Sequence, residues 1–296
     1  MIQYAHKEKL EAALQNPKAK DDYPILQEAL KAYSSWIEEM GKMNSEGDAL
    51  LKDMISALND YKDYLEVDLI AKKGSNFLKR QKGQLKLDNS VLEEFLPHLV
   101  DKRIIHNLPT NFELEAGSKT SFMSLSFSPT SIKTLDVPNV ILKEKDQDFA
   151  IGKSLYYKFS SDENFSNEKT TQGALFLAVL ATECKVNYDK TMFQECAATA
   201  ERLKQGCPVS KYYTLVEYLD MSPEDTRLTS IDNVFLLRHA KRLPYEKRNI
   251  YEEVKSQHRD YPISYDVMKL YVSEIQKFVD ATWYDPDAAL KRGSFV

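Results

Sequence analysis

The sequence of 296 residues predicts an α/β fold in which a sheet flanked by helices follows an N-terminal helical subdomain. Two observations support this prediction. Apolar residues recur at helical spacing through the first 70 residues, and the segments from residue 148 onward follow the order strand, strand, helix, strand, strand. We therefore divide the chain into a helical subdomain, residues 1–70, and a larger α/β domain with a closing helix, residues 71–296.

The helical subdomain is predicted from two apolar stripes separated by a short break. Segment 41–47, which has a glycine at each end, is expected to be that break. Beyond the subdomain, Ser90 followed three residues later by Glu93 is typical of a helix start, ahead of an apolar face over 91–99. The two stripes consist of Leu26, Leu30, Tyr33, Trp36 and Ile37, and of Leu50, Leu51, Met54, Ile55 and Leu58.

The strands of the α/β domain are predicted from short β-like segments and apolar runs. Segment 174–186 is the most apolar of the chain and is expected to be a central strand, although its periodicity alone does not exclude a buried helix. A polar loop is expected over 162–171, a helix over 189–204 and a closing amphipathic helix over 267–279. The other expected strands are 121–127, 139–142, 148–159, 212–219 and 234–237.

Composition and charge limit the class of protein. A hydrophobic fraction of 43% is enough for a sizeable core. The formal net charge of -5 weighs against non-specific nucleic-acid binding, but it says nothing of how charge is distributed, and a carboxylate metal site adds negative charge itself. Three cysteines and no apolar run of membrane-spanning length favour a soluble, cytoplasmic protein without disulfides.

The pattern with most chemical content is Glu183-Cys184-Lys185, at the end of the apolar strand. Side chains alternate across a strand, so Glu183 and Lys185 share one face and Cys184 points to the other. Facing a cleft, the pair could bind a cation and hold a water. The alternative is an ordinary ion pair at a strand end. Another Glu-x-Lys, 253–255, lies in a helical context and is given no weight.

A second acidic pattern, Asp146-Gln147-Asp148, opens the preceding strand. If the two strands pair as a hairpin, Asp148 reaches Glu183, and Asp146 remains a rival for the same position. Two carboxylates and a strand carbonyl make an oxygen site of the kind that Mg²⁺ prefers. A lysine beside that site can orient the attacking water or help to deprotonate it.

Four segments, 90–95, 146–152, 181–185 and 189–192, resemble the PD-(D/E)XK restriction endonucleases. More narrowly, they are similar to the BbvCI-like group, which cuts short sites with asymmetric elements, often as two-subunit enzymes. The resemblance spans about residues 74–220. It implies a restriction-endonuclease-like mixed sheet and Mg²⁺-dependent, site-specific hydrolysis of double-stranded DNA.

The resemblance also implies roles for individual residues. Asp148 and Glu183 would be metal ligands, Lys185 the catalytic lysine, and Glu94 or Glu93 an auxiliary carboxylate near the metal. Gln147 stands where the family name has a proline, a departure that many members share.

Basic residues are candidates for DNA contacts, because phosphate contacts and guanine readout both use arginine and lysine. One group lies in segment 72–86, another at the start of the helix after the catalytic strand, and a third after residue 237. Solvated loops would have the same composition. The candidates are Lys79, Arg80, Lys190, Arg238, Lys241 and Arg242.

Cutting two strands requires two sites, so the expected partner besides DNA is a second chain, in a homodimer or in a heterodimer with a related subunit. Two other functions stay open at this point. The chain could be a structure-specific repair or recombination nuclease, or a catalytically inactive DNA-binding subunit.

Overall fold

In the part of the chain that the structure describes, five strands form one mixed sheet in the order β1-β2-β3-β4-β5. The computed structural model describes residues 4–108, 114–127, 137–280 and 286–294. β1, β2 and β3 are antiparallel neighbours, whereas β3, β4 and β5 run parallel. The strands are β1 Glu115–Phe127, β2 Val140–Ser160, β3 Thr170–Tyr188, β4 Lys211–Leu219 and β5 Asn233–Lys241. The predicted mixed sheet flanked by helices is confirmed.

The helices fall into an N-terminal group, one crossover helix and a C-terminal group. A π-helical stretch, Asp63–Ala71, continues α3 without a break, and no helix of the described ranges is long and apolar enough to cross a membrane. The helices are α1 Ala5–Leu14, α2 Tyr23–Lys42, α3 Gly47–Lys62, α4 Asn76–Gln81, α5 Ser90–Phe95, α6 Lys190–Gly206, α7 Tyr251–Asp260, α8 Tyr265–Asp280 and α9 Pro286–Arg292.

Helices cover both faces of the sheet. The N-terminal helices and α8 share one hydrophobic core with one face, where Leu58, Phe149 and Cys184 belong to the same cluster. Helix α6 covers the other face and packs against Ala150 and Val216. The hydrophobic core continues across residue 70. It therefore does not mark the predicted domain boundary there, which stays a prediction.

The crossover from β3 to β4 forms as the sequence indicates. Asp189 caps α6, and its carboxylate accepts a hydrogen bond of 2.9 Å from the backbone N–H of Met192. The helix returns the chain to β4, which pairs parallel with β3 from Leu180 to Tyr188. This places the carboxyl ends of β3, β4 and β5 at one edge of the sheet.

Two local predictions were wrong. Segments 139–142 and 148–159 belong to one strand, β2, which pairs with β1 along its first part and with β3 along its second. Its middle is polar because residues 143–146 are exposed. The capping box at Ser90 does not form: the Ser90 hydroxyl donates to the carbonyl of Lys86, and Glu93 accepts from the side chain of Asn89.

Candidate active site

The register of β2 and β3 places Asp148 beside Glu183. Phe149 and Thr182 are the last partners of this antiparallel pair. One residue further along each strand lie Asp148 and Glu183, which therefore share a face of the sheet. Asp148 Oδ2 accepts a hydrogen bond of 2.8 Å from the backbone N–H of Cys184, whose side chain is fully buried in the core. The predicted hairpin thus brings the two acidic residues together.

Lys185 lies on the same face as Glu183, two residues further along β3. Its Nζ donates a hydrogen bond of 2.6 Å to Glu183 Oε1, and both side chains are largely buried. Burial lowers the pKa of Lys185, but the charge and the hydrogen bond of Glu183 outweigh that effect and raise it overall. Lys185 therefore carries a fixed positive charge next to two carboxylates.

A third carboxylate, Glu93, approaches the site from α5. The Nζ atom of Lys86 lies 3.6 Å from Glu93 Oε1 and 4.0 Å from Asp148 Oδ1, so this lysine links the two acidic residues. Glu93 is also hydrogen-bonded by the side chain of Asn89, at 2.8 Å. Of the two glutamates that the family resemblance implies, Glu93 is the one that the structure brings to Asp148.

Glu94 points away from the site, since successive residues of a helix are about 100° apart. It is completely buried, and its Oε2 accepts from the backbone N–H groups of His6 at 2.7 Å and of Lys7 at 3.2 Å. Its Oε1 accepts from the hydroxyl of Tyr33. These bonds fix the start of α1, and they do not place Glu94 near Asp148, contrary to the expected metal-binding role.

The environment of Asp148 raises its pKa to about 7. Burial is the largest cause, followed by the negative charges of Glu183 and Glu93; Lys185 and the N–H of Cys184 oppose them. Three carboxylates therefore share a partly desolvated corner that carries excess negative charge. A bound cation would offset that charge.

The donor atoms of this corner suit a hard divalent cation. In the part of the chain that the structure describes, no three His, Cys, Asp or Glu side chains are already arranged as a metal cage. Mg²⁺ does not require one, because it retains several waters and binds through one or two carboxylates. Protein hydrogen bonds engage Asp148 Oδ2 and Glu183 Oε1, which leaves the other oxygen of each to face a cation.

Asp146, the rival of Asp148, is not at this corner. It lies on the part of β2 that pairs with β1, and its Oδ1 accepts a hydrogen bond of 2.7 Å from Thr120. Asp146 and Asp148 are two residues apart along β2, which separates their backbones by roughly 7 Å. The other Glu-x-Lys sequence, 253–255, lies in α7, as its helical context indicates.

Most of the basic candidates lie at the surface. Lys79 and Arg80 lie on α4, Lys190 begins α6 and pairs with Glu224 at 3.7 Å, and Lys241 ends β5. Arg242 Nη1 lies 3.3 Å from an oxygen of Asp220 and remains partly exposed. The structure leaves these five side chains accessible to a ligand, and whether they contact DNA stays a prediction.

Arg238 corrects the sequence interpretation. It lies inside β5 rather than after it, and its side chain is fully buried. Nε donates to Glu217 Oε2 at 2.8 Å and Nη1 to the carbonyl of Tyr261 at 3.0 Å. A guanidinium enclosed in this way does not reach DNA. It belongs to a buried charge cluster in which Lys62 pairs with both Glu66 and Glu217.

The comparisons with known proteins bear on the family and the fold. A family model described as the Bpu10I restriction endonuclease matches residues 84–295. A search of curated protein sequences found no match. Among solved structures, the native BbvCI A2B2 tetramer contains a chain of similar fold, with a TM-score of 0.66 and 19% identity over 95% of this chain and 99% of that one.

Proposed function

This chain belongs to the Bpu10I restriction endonuclease family, and we propose that Asp148, Glu183 and Lys185 form its catalytic core. The chain is a type II restriction endonuclease or a subunit of one. Enzymes of this class use a divalent cation, and we propose Mg²⁺ as the cation here. The observation that supports the assignment best is the placement of Asp148 beside Glu183, with Lys185 2.6 Å from Glu183.

Each residue has a role that follows from its contacts. The N–H of Cys184 holds Asp148 Oδ2, so that Oδ1 faces the corner between the strands. Lys185 neutralises part of the negative charge, and its ammonium group is placed to orient the attacking water as a hydrogen-bond donor. Glu93 is the auxiliary carboxylate. Asp148 and Glu183 would hold the Mg²⁺, which would supply a bound water of lowered pKa and stabilise negative charge on the scissile phosphate.

The substrate that we propose is double-stranded DNA, and the active assembly contains at least two chains. The solved BbvCI relative is an A2B2 tetramer. A chain with a single site cuts one strand, so a double-strand break requires a second site. We propose a second copy of this chain or a related subunit as the partner.

Incubation of the purified protein with supercoiled plasmid, with and without Mg²⁺, tests the assignment. We expect discrete linear fragments, or nicked circles if a related subunit must supply the second site. Asp148→Asn, Glu183→Gln and Lys185→Ala should each abolish these products. A smear without discrete bands would favour a structure-specific nuclease instead.

The chain offers a matched control. Glu253→Gln and Lys255→Ala alter a Glu-x-Lys sequence of the same spacing on α7, and they should cut like the wild type. Equal loss in both sets would mean that the substitutions damage the fold and not a site. If the wild-type protein does not cut the plasmid and does not bind a divalent cation, the chain is an inactive DNA-binding subunit.

A further inference from the structure

Lys86 lies at the mouth of the carboxylate corner and has no role in the function proposed above. Its Nζ is 3.6 Å from Glu93 Oε1 and 4.0 Å from Asp148 Oδ1. Asp148 Oδ1 is the oxygen that the hydrogen bond from Cys184 leaves unused. Lys86 therefore places a positive charge beside two carboxylates, those of Asp148 and Glu93.

The backbone of Lys86 is in a conformation that favours glycine. Its φ is 54°, in the left-handed region, which residues with a side chain rarely adopt. The conformation is imposed from both sides: the N–H of Lys86 donates to the carbonyl of Gly83 at 3.1 Å, and the carbonyl of Lys86 accepts from Ser90. Residues held in such conformations cluster at active sites, although Asn107, Phe165 and His239 also have a positive φ in this chain.

The side chain of Lys86 is held much less firmly than that of Lys185. It is 47% exposed, against 26% for Lys185, and both of its ion-pair distances are longer than a hydrogen bond. Exposed ion pairs of this kind contribute little free energy and break easily. The site therefore contains one lysine that is fixed and one that is free to move.

We propose that Lys86 is an exchangeable active-site cation, which pairs with Asp148 and Glu93 in the free enzyme and binds a phosphate oxygen of the DNA once a divalent cation has taken its place. This inference rests on the proposed function. The physical reason is competition, because an ammonium group and a divalent cation beside the same oxygen of Asp148 repel each other. The displaced ammonium group remains beside the DNA backbone, where a phosphate offers it a new partner.

Two binding measurements that do not depend on cleavage test this role. The first is titration of the DNA-free protein with Mn²⁺, followed by electron paramagnetic resonance. Lys86→Met should bind Mn²⁺ several-fold more tightly than the wild type, because no ammonium group has to be displaced. Lys86→Arg should resemble the wild type.

The second measurement is the salt dependence of binding to a short synthetic duplex in the presence of Mg²⁺, in a Lys185→Ala background that prevents cutting. Each lost phosphate contact reduces the slope of log K against log salt by about 0.9. We expect Lys86→Met to show this reduction and Lys86→Arg to retain the full slope. Lys269→Met is the control, since Lys269 is also about half exposed and pairs with Asp48 on the helical side of the fold.

A folding control separates side-chain loss from damage to the loop. Glycine suits a φ of 54°, so the unfolding temperature of Lys86→Gly should be no lower than that of the wild type. The same variant should still bind Mn²⁺ more tightly and show the reduced salt slope. If Lys86→Met and Lys269→Met behave alike in both measurements, Lys86 is an ordinary surface ion pair and the inference is wrong. The proposed function fails separately, if Asp148→Asn still cuts plasmid DNA.

Discussion

Asp148 of β2 accepts its hydrogen bond from the backbone N–H of Cys184, the residue between Glu183 and Lys185 on β3. This contact connects β2 and β3 at the point where their pairing ends. It fixes the direction of the Asp148 carboxylate by backbone geometry rather than by another flexible side chain. The side chain of Cys184 is buried in the core below, so the donor N–H is itself firmly placed.

The first prediction concerns Asp148 and pH. In metal-free protein its pKa of about 7 lies above the 3.8 of the unfolded chain, so the native state binds the proton more tightly. The contribution of Asp148 to native stability is therefore largest below about pH 4 and falls as pH rises through 7, by about 2–4 kcal/mol. Asp148→Asn should lack this loss and exceed the wild type in stability at pH 8, as measured by urea unfolding in EDTA.

A divalent cation should reverse that difference. It binds the ionised carboxylates of the native state only, so millimolar Mn²⁺ should raise the unfolding temperature of the wild type. The same addition should leave Asp148→Asn nearly unchanged. A similar rise in both proteins would mean that the cation binds elsewhere.

The second prediction separates two adjacent glutamates. Glu93→Gln removes a carboxylate beside Asp148 and should slow plasmid cutting, with little change in stability. Glu94→Gln weakens the bonds to His6, Lys7 and Tyr33 in the interior and should lower the free energy of unfolding by about 1–3 kcal/mol. The cutting rate per folded molecule should stay normal in Glu94→Gln. Denaturant unfolding and cleavage kinetics of both variants would reveal the reverse pattern, if it occurs.

The third prediction contrasts two arginines on neighbouring segments. Arg238→Met leaves Glu217 as a buried, partly unpaired charge and should cost about 3–5 kcal/mol of stability. Arg242→Met should cost little stability, because its partner Asp220 is exposed, but should reduce the salt dependence of DNA binding. Thermal unfolding and fluorescence anisotropy test the two effects. An unchanged salt slope in Arg242→Met would remove Arg242 from the DNA-binding residues.

The fourth prediction concerns the buried imidazole of His6. Its Nδ1 lies 2.8 Å from Ser90 Oγ and its Nε2 2.6 Å from Tyr61 Oη. Burial, together with the charge of Lys62, lowers the pKa of His6 to about 3. A lowered pKa means that the unfolded chain takes up the proton first, so this contribution is complete above pH 6.5 and is lost as pH falls towards 3.

We therefore expect the ring of His6 to stay neutral at pH 5, which ¹⁵N NMR of labelled histidine measures directly. His6→Gln should be less sensitive to acid than the wild type, by as much as about 3–5 kcal/mol between pH 7 and pH 3. A normal titration of His6 near pH 6 would contradict the enclosed position of the ring.

Much of the fold, and the placement of Glu183 and Lys185 on one face of a strand, could be predicted from sequence. The apolar run of β3 and the charged pair at its end identify a strand that leads to a cleft, and period-two alternation places Glu183 and Lys185 on one face. The choice between Glu93 and Glu94 could not be made, because it depends on how α5 is rotated against the sheet. Asp146 could not be separated from Asp148 without the register of β2.

Buried charges account for the clearest failure. Arg238 has the same sequence context as an exposed arginine, and its partner Glu217 lies on a neighbouring strand. Lys86 lies in the basic segment 72–86, but the sequence did not distinguish it from the other basic residues there, since the backbone conformation that sets it apart is typical of glycine. In both residues, the decisive property comes from tertiary contacts and not from the local pattern.

The hydrophobic core beneath the candidate active site includes residues from a longer part of the chain than the family model matches. The family match begins at residue 84, whereas the core shared by β2, β3 and the N-terminal helices begins at Leu10. The unit that sequence comparison detects is thus smaller than the unit that must fold. A protein that started at residue 84 would retain every proposed catalytic residue and yet lose α1 to α4, which share the hydrophobic core on one face of its sheet. For this enzyme, shortening the chain to the recognisable segment and transplanting that segment are both poor routes to a minimal nuclease.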